Sequence, residues 1–114
     1  MTPQPRLIRA QDIRFASRGG TLEGDAQIAW AVPDAGGAPL PCGFGRLHEA
    51  QAEPKTLAYD ELVLVLEGTL GIRMEDGSQL EAAAGDLIVI PRNTTVTYFG
   101  RGAKLFFVVT PQAK

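Results

Sequence analysis

The chain has 114 residues, with 11 Lys and Arg against 13 Asp and Glu and a formal net charge of −2. This length accommodates one domain but not two, and the scattered charge argues against a nucleic-acid or anionic-membrane surface, which needs clustered basic residues. One cysteine excludes an intrachain disulfide. Since the N-terminus lacks the apolar core of a secretion signal and no apolar run could span a membrane, we expect a cytoplasmic protein.

The first part of the chain predicts an arm, a strand and a long loop. Residues 1–20 read as an irregular N-terminal arm with one short strand at 7–9, and the domain proper is expected to span 21–114. Thr21–Val32 alternates apolar and polar residues with a period of two, which predicts a strand. Residues 33–41 are rich in Pro and Gly and predict a loop.

A second strand is predicted at 42–51, with two different faces. One side carries Cys42, Phe44, Arg46 and His48, and the other carries Gly43, Gly45, Leu47 and Glu49. The period of two leaves open whether the side with Arg46 and His48 or the side with Glu49 faces the interior.

The rest of the chain predicts short strands separated by turns. These strands are expected at 55–57, 61–67, 70–75, 78–83, 86–90, 94–99 and 105–110. Asp76-Gly77 has the composition of a tight hairpin turn, and Gly100-Arg101-Gly102 predicts the last turn. Turn signals recur about every 8–12 residues from Gly68 onward, and no helical period is found, so the sequence predicts an all-β sandwich or barrel.

Two motifs carry a resemblance to a known family. The first ends in Glu61 and Glu67-Gly68, and the second contains Gly85-Asp86 and Ile90-Pro91. The chain thereby resembles the cupin superfamily, the RmlC-like jelly rolls. More narrowly, it resembles the Q-type cupin domain of ethanolamine utilisation through Tyr59-Asp60-Glu61, Ile90-Pro91-Arg92-Asn93 and residues 106–111. The resemblance implies a single-domain jelly-roll β-barrel and a place in ethanolamine or amine catabolism.

The histidines of the cupin motifs are missing. The family spacing would place them at 55 and 57, or at 54 and 56, and near 96. The residues found there are Lys55 and Leu57, or Pro54 and Thr56, and Val96. A cupin metal is typically held by three imidazoles and a carboxylate, and this chain has one histidine. We therefore expect no metal or other cofactor; if a metal were bound, His48, Glu49 and Glu61 would be its candidate ligands.

Candidate site residues follow from the family's inward-facing Glu61. If Glu61 points inward, so do Val63 and Val65 by period two, and Tyr98 lies on the same face as position 96. The candidate ligand-binding residues are Tyr59, Glu61, Arg46 and Tyr98, and the candidate catalytic residues are Glu61, Tyr98 and His48. A purely structural buried carboxylate at Glu61 is an equal alternative.

Three hypotheses about function remain open. The first is a metal-free cupin that binds a small molecule in its barrel. The second is an enzyme, isomerase-like, acetate-kinase-like or metal-dependent, that uses Glu61 with Tyr98 or His48. The third is an assembly or regulatory protein that works as a dimer, with a vestigial barrel. Leu62, Leu64 and Leu66 would point outward and need cover from a second subunit or from the arm, unless the strand is buried on both sides. A homodimer is expected in each case.

Overall fold

The computed structural model describes residues 4–34 and 39–111, which form eight β-strands and one short 3-10 turn at Ala10–Asp12. The strands are β1 (Ala16–Ser17), β2 (Thr21–Val32), β3 (Cys42–Ala52), β4 (Lys55–Thr56), β5 (Glu61–Met74), β6 (Gln79–Ala83), β7 (Leu87–Ile90) and β8 (Thr95–Val109). The predicted all-β class is confirmed. No helix in the described ranges is long and apolar enough to cross a membrane.

The two longest strands, β5 and β8, organise the sheet. They pair antiparallel from Glu61 opposite Val109 to Met74 opposite Val96. The strand order is β1-β2-β3-β8-β5-β6; in addition, β4 pairs with β8 and β7 pairs with β5. β5 pairs with β7 along its first half and with β6 along its second half, so these two short strands share one edge of β5.

Two predicted breaks prove to be bulges. The turns expected near Gly68 and at 100–102 lie inside the continuous strands β5 and β8. Gly68 and Gly102 have φ angles of +68° and +51°, and a Cβ on Gly68 would lie 2.2 Å from the Gly102 carbonyl oxygen. Glycine is needed where two backbones approach this closely in a left-handed conformation. The glycines therefore do adopt the left-handed backbone conformation typical of turns, but they form bulges within continuous strands and do not end them.

The hairpin and the start of the chain show one success and one error. The Asp76-Gly77 turn is confirmed, since the Met74 N–H donates to the Ser78 carbonyl over 2.8 Å and Gly77 has a φ of +88°. The strand predicted at 7–9 does not form; instead, β1 pairs with β2 further along the arm. Within the predicted loop at 33–41, residues 35–38 lie outside the described residues, as do 1–3 and 112–114.

The β3 strand answers the question of which side faces inward. Gly43, Gly45 and Leu47 are buried, whereas Glu49 has a φ of +45° and is exposed. Opposite this bulge, a Cβ on Gly24 would lie 2.0 Å from the Glu49 carbonyl oxygen. The bulge shifts the alternation by one residue, so Glu49 leaves the inner face that the first half of the strand follows.

The hydrophobic core fills the interior of the barrel. Its larger members are Leu47, Leu57, Val63, Val65, Leu70, Ile72, Ile88, Ile90, Val96, Leu105, Phe107 and Val109. Val63 and Val65 are 1% and 0% exposed, which confirms the predicted inward parity of β5. The polar site described next opens into this apolar interior.

Candidate functional site

A cavity of about 90 Å³ lies inside the barrel beside the core. Its apolar wall is formed by Ile28, Trp30, Leu47, Val63, Leu70, Leu105 and Phe107, and its polar side by Arg18, Gln27, Lys55, Tyr59, Glu61 and Tyr98. The Trp30 and Phe107 rings meet edge to face, with centroids 5.0 Å apart. Since one water needs roughly 10–15 Å³ of such space, the cavity has room for several waters or a compact organic molecule.

Glu61 and Tyr98 form the polar centre of the cavity. Glu61 is the first residue of β5, and Tyr98 lies on β8, which runs alongside it. The Tyr98 hydroxyl donates a hydrogen bond to Glu61 Oε1. The sequence placed both side chains on an inner face, and the structure brings them into contact across the interior.

Burial changes the proton equilibria of both groups. Loss of solvent raises the pKa of the Glu61 carboxyl above its ordinary value of 4.5, against smaller opposing effects from the Tyr98 hydrogen bond and the positive charges of Lys55 and Arg18. Burial, followed by the neighbouring Glu61 charge, raises the pKa of Tyr98 as well. Tyr98 therefore stays protonated and remains a hydrogen-bond donor, while Glu61 is more readily protonated than an exposed glutamate.

Two positively charged side chains, Lys55 and Arg18, line the polar side of the cavity. Lys55 Nζ donates to the Tyr59 hydroxyl over 2.8 Å, which leaves the Tyr59 proton available to another acceptor. The Arg18 guanidinium lies 5.5 Å from the centre of the Tyr98 ring. Among the described residues, neither cation of the cavity forms an ion pair with a carboxylate; the ion pair of this region joins Arg92 to Asp60 at the surface. The polar side can thus offer donors and positive charge around one titratable acid.

Three candidate residues lie elsewhere. Arg46 is exposed on the outer face of β3, where its guanidinium stacks 3.8 Å from the Phe15 ring centre. His48 is exposed opposite Asp25 on β2, and Glu49 lies in a surface groove beyond the bulge. The expectation that the pocket would contain Arg46 with His48, or else Glu49, is therefore wrong for this cavity, because strand parity and the bulge turn all three outward.

The side chains around the cavity do not fit a cupin metal. Lys55 and Val96 occupy adjacent paired positions where two imidazoles would be expected, and Leu57 is 1% exposed in the core. Glu61 is the one carboxylate on the cavity wall, and the described residues contain no group of three or more His, Cys, Asp or Glu side chains that could hold an ion. An ammonium group and aliphatic side chains offer no donor set for a transition metal.

Sequence reasoning missed Arg18, Gln27 and Trp30 as wall residues. Arg18 comes from the turn between β1 and β2, and Gln27 and Trp30 come from β2, a region in which no motif was found. The period-two pattern of β2 could have placed Trp30 on an inner face, but it could not indicate the arm residue Arg18. Lys55 is exposed and also borders the cavity.

The fold and this site define the class as a cupin barrel that lacks the histidine ligands. The model of the family described as ethanolamine utilisation protein EutQ matches residues 32–114. The chain therefore belongs to the EutQ family.

Curated relatives and solved structures agree with this assignment. An acetate kinase EutQ from Salmonella typhimurium is 30% identical over 93 residues, or 82% of this chain and 40% of that protein. One from Clostridioides difficile is 35% identical over 71 residues, or 62% of this chain and 44% of that protein. The chain thus spans less than half the length of these relatives.

The structural matches extend over nearly the whole chain. A crystal structure of an ethanolamine utilization protein Q from Salmonella typhimurium has a TM-score of 0.80 at 28% identity and covers 94% of this chain and 86% of that one. An RmlC-like cupin from Shewanella frigidimarina has a TM-score of 0.74 at 14% identity, with 100% and 97% covered. The second similarity concerns the fold alone and confirms the predicted cupin jelly roll.

Proposed function

We propose that this chain binds a compact organic molecule in the barrel, with Glu61 as the central polar contact. The observation that carries the proposal is a carboxyl group, largely removed from water and bonded to Tyr98, on the wall of a cavity. Convergent polar groups in an otherwise apolar pocket are the usual arrangement of a small-molecule site.

The wall chemistry favours a ligand with a short hydrocarbon part and one polar end. Trp30 and Phe107 offer an apolar surface, while Lys55, Tyr59 and Glu61 offer charge and hydrogen bonds. The ligand's polar end would meet the Glu61–Tyr98 pair, and its carbon atoms would replace water along the rings. Such burial contributes roughly 0.8 kcal/mol per CH₂ group, so the apolar wall favours a ligand in proportion to the hydrocarbon that it buries.

A ligand screen with matched variants tests this proposal. Acetate, propionate, ethanolamine and propanal would each be titrated into the ¹⁵N-labelled protein, with amide shifts followed by NMR. We expect at least one of these probes to shift amides of β5 and β8 around the cavity, and Glu61→Gln or Tyr98→Phe to weaken that response. Glu67→Gln on the exposed part of β5 is the control. No response to any of the probes, or an equal response in Glu61→Gln, would contradict the proposal.

The inclusion of acetate and ethanolamine follows from the relatives. The EutQ family is named for ethanolamine utilisation, and the relatives are named acetate kinases. Since this chain spans 40% of the Salmonella protein, acetate kinase activity is a separate proposal for this chain. ADP formation from acetate and ATP, compared between the wild type and Glu61→Gln, would test it.

Proton transfer is a second candidate function, favoured by the raised pKa of Glu61 next to a hydroxyl donor. In such a step, the ionised Glu61 carboxylate would accept a proton from the carbon next to a carbonyl. A hydroxyl group would donate a hydrogen bond to the enolate oxygen, and Glu61 would then return the proton to the carbon. Exchange of the α-protons of propanal in D₂O, followed by ¹H NMR, tests this step. Exchange that is no faster than in buffer, or that persists in Glu61→Gln, would rule it out.

We also propose that two copies associate through the outer face of β5, β7 and β8. Its outward side chains are apolar across paired strands: Leu62 lies opposite Val89 and Val108, and Leu64 lies opposite Leu87 and Phe106. Leu62, Leu87 and Val89 are 40%, 58% and 67% exposed.

The composition and the exposure of this face both favour a second copy. Because β7 pairs with β5 over four residues, three strands spaced about 4.8 Å apart and roughly 13 Å long give a flat area on the order of 200 Å². The patch is contiguous across three paired strands, unlike the single apolar residues scattered over an ordinary surface, and contiguous exposed patches often mark interaction sites. In the described part of the arm, Ile8, Ile13 and Phe15 lie against Phe44 and Arg46 on the β3 side and not on this face. A face of this kind pairs readily with itself around a two-fold axis.

A further inference from the structure

The arm contributes one charged side chain to the cavity wall. Arg18 follows β1, whose two residues pair with Gln27 and Ile28 of β2. The Arg18 N–H donates to the Ala26 carbonyl over 2.9 Å, which extends this pairing by one residue. Arg18 lies before the segment that matches the EutQ family model, which starts at residue 32. No motif of the family therefore identifies Arg18 as a residue of the site, and the assignment depends on its position in the fold.

The backbone around Arg18 directs the side chain back over the barrel. Gly19 and Gly20 have φ angles of +77° and +58°, so the chain reverses sharply into β2 immediately after Arg18. Left-handed conformations at two successive residues are accessible to glycine at little cost. The side chain is half-buried, its Nη1 donates to the Gly19 carbonyl over 3.3 Å, and its guanidinium stands over the Tyr98 ring.

We propose that Arg18 is a positioning residue of this site, which holds the Tyr98 ring by its charge and favours the ionised form of Glu61. A guanidinium over an aromatic face is attracted by the negative face of the ring. The same positive charge stabilises a nearby carboxylate, and it is weakly screened because the cavity is partly closed to water. Arg18 does not itself contact a reacting atom in this assignment; it acts through Tyr98 and Glu61.

The groups that face Glu61 are few, which makes the effect separable. Tyr98 approaches from β8, Lys55 from β4, Tyr59 from the segment before β5, and Arg18 from the arm. The β7 residue paired with Glu61 is the apolar Ile90. Two positive charges thus favour ionisation of Glu61 against the effect of burial, and removing one of them must shift the balance toward the protonated form.

The test follows the titration of Glu61 in the free protein. The protein would carry ¹³C-labelled glutamate, the Glu61 carboxyl resonance would be assigned by its loss in Glu61→Gln, and its midpoint would be measured by NMR as the pH is raised. We expect Arg18→Gln to move the midpoint upward and Arg18→Lys to leave it near the wild-type value. Arg14→Gln is the matched control on the same arm, since Arg14 is exposed and bonds to the Gln11 carbonyl.

Two outcomes would overturn the proposal. One is an unchanged midpoint in Arg18→Gln; the other is an equal shift in Arg18→Lys, which would show that shape rather than charge matters. If Arg18→Gln fails to fold, Arg18→Met, which keeps the apolar stem without the charge, replaces it. The inference rests on the proposed use of this cavity, but the titration needs no ligand, so its failure and that of ligand binding are distinguishable.

Discussion

The two faces of β5 differ in a way that separates stability from function. Val63 and Val65 point into the core, whereas Leu62, Leu64 and Leu66 point outward along the same strand. The inner face is apolar except where Glu61 meets Tyr98, and the outer face is apolar where water would be expected. In each case the informative feature is the residue type that contradicts its surroundings: a buried acid inside and exposed leucines outside. The first is the basis of the proposed ligand site, and the second is the basis of the proposed contact between copies.

The largest effect should come from truncating the inner face. Leu70 is 0% exposed on β5 and borders both core and cavity, so Leu70→Ala should lower the free energy of unfolding by about 2–5 kcal/mol. Leu66 is 38% exposed on the same strand, and Leu66→Ala should cost about 1 kcal/mol, because less apolar surface is lost from the interior. Urea unfolding of both variants at one protein concentration measures the contrast. Equal losses would mean that the outer face is as closely packed as the inner one.

The next effect concerns association. Leu62→Asp combined with Val89→Asp would place two charges in the proposed contact between copies, and we expect the dimer to weaken at least tenfold, which corresponds to about 1.4 kcal/mol. Sedimentation velocity at micromolar concentrations would show the shift from dimer to monomer. Leu80→Asp is the control, since Leu80 is 52% exposed but lies on β6, outside the proposed contact. A monomeric wild-type protein would remove the outer face as an interface.

A smaller effect should depend on pH. The folded-state pKa of Glu61 is raised above the ordinary value of 4.5 that it regains on unfolding. Between pH 4.5 and the folded-state pKa, the folded chain therefore binds more protons than the unfolded chain. The stability that Glu61 contributes below pH 4.5 is lost as the pH rises through the folded-state pKa. Glu61→Gln cannot ionise, so the difference in Tm, variant minus wild type, should increase with pH and then level off. Thermal melts across this range measure it, with Glu67→Gln as the reference; a difference independent of pH would contradict the burial argument.

The smallest effect should be found at the rim between the two faces. Arg92 and Asp60 form an ion pair of 3.5 Å with both side chains about half exposed, at 50% and 49%. Arg92→Ala should therefore cost at most about 0.5 kcal/mol, and less in high salt. Asp60→Ala should cost about 1 kcal/mol, because the carboxylate also accepts the Arg92 backbone N–H over 2.8 Å. Chemical denaturation at low and high salt would compare them, and a larger loss in Arg92→Ala than in Asp60→Ala would reverse this assignment.

The candidate site was only partly predictable. Glu61, Tyr98 and Tyr59 could be named because they follow a recognised motif or share its parity, and the structure places all three on the cavity wall. Arg46 and His48 were candidates because a strand's period of two does not state which side faces inward. Arg18 was not a candidate, since its position depends on how the arm pairs with β2 and on nothing in its own segment.

The sequence by itself determined the class of fold and the lack of histidines at the cupin motif positions. Alternation, turn residues and motif glycines are local signals, and the absence of imidazoles at the motif positions is visible without coordinates. The tertiary structure alone decided that Gly68 and Gly102 form facing bulges, that the Glu49 bulge turns this residue outward, and that an arginine of the arm lies over the Tyr98 ring. These features arise from contacts between segments far apart in the chain, where backbone approach and burial, and not local preference, set the geometry.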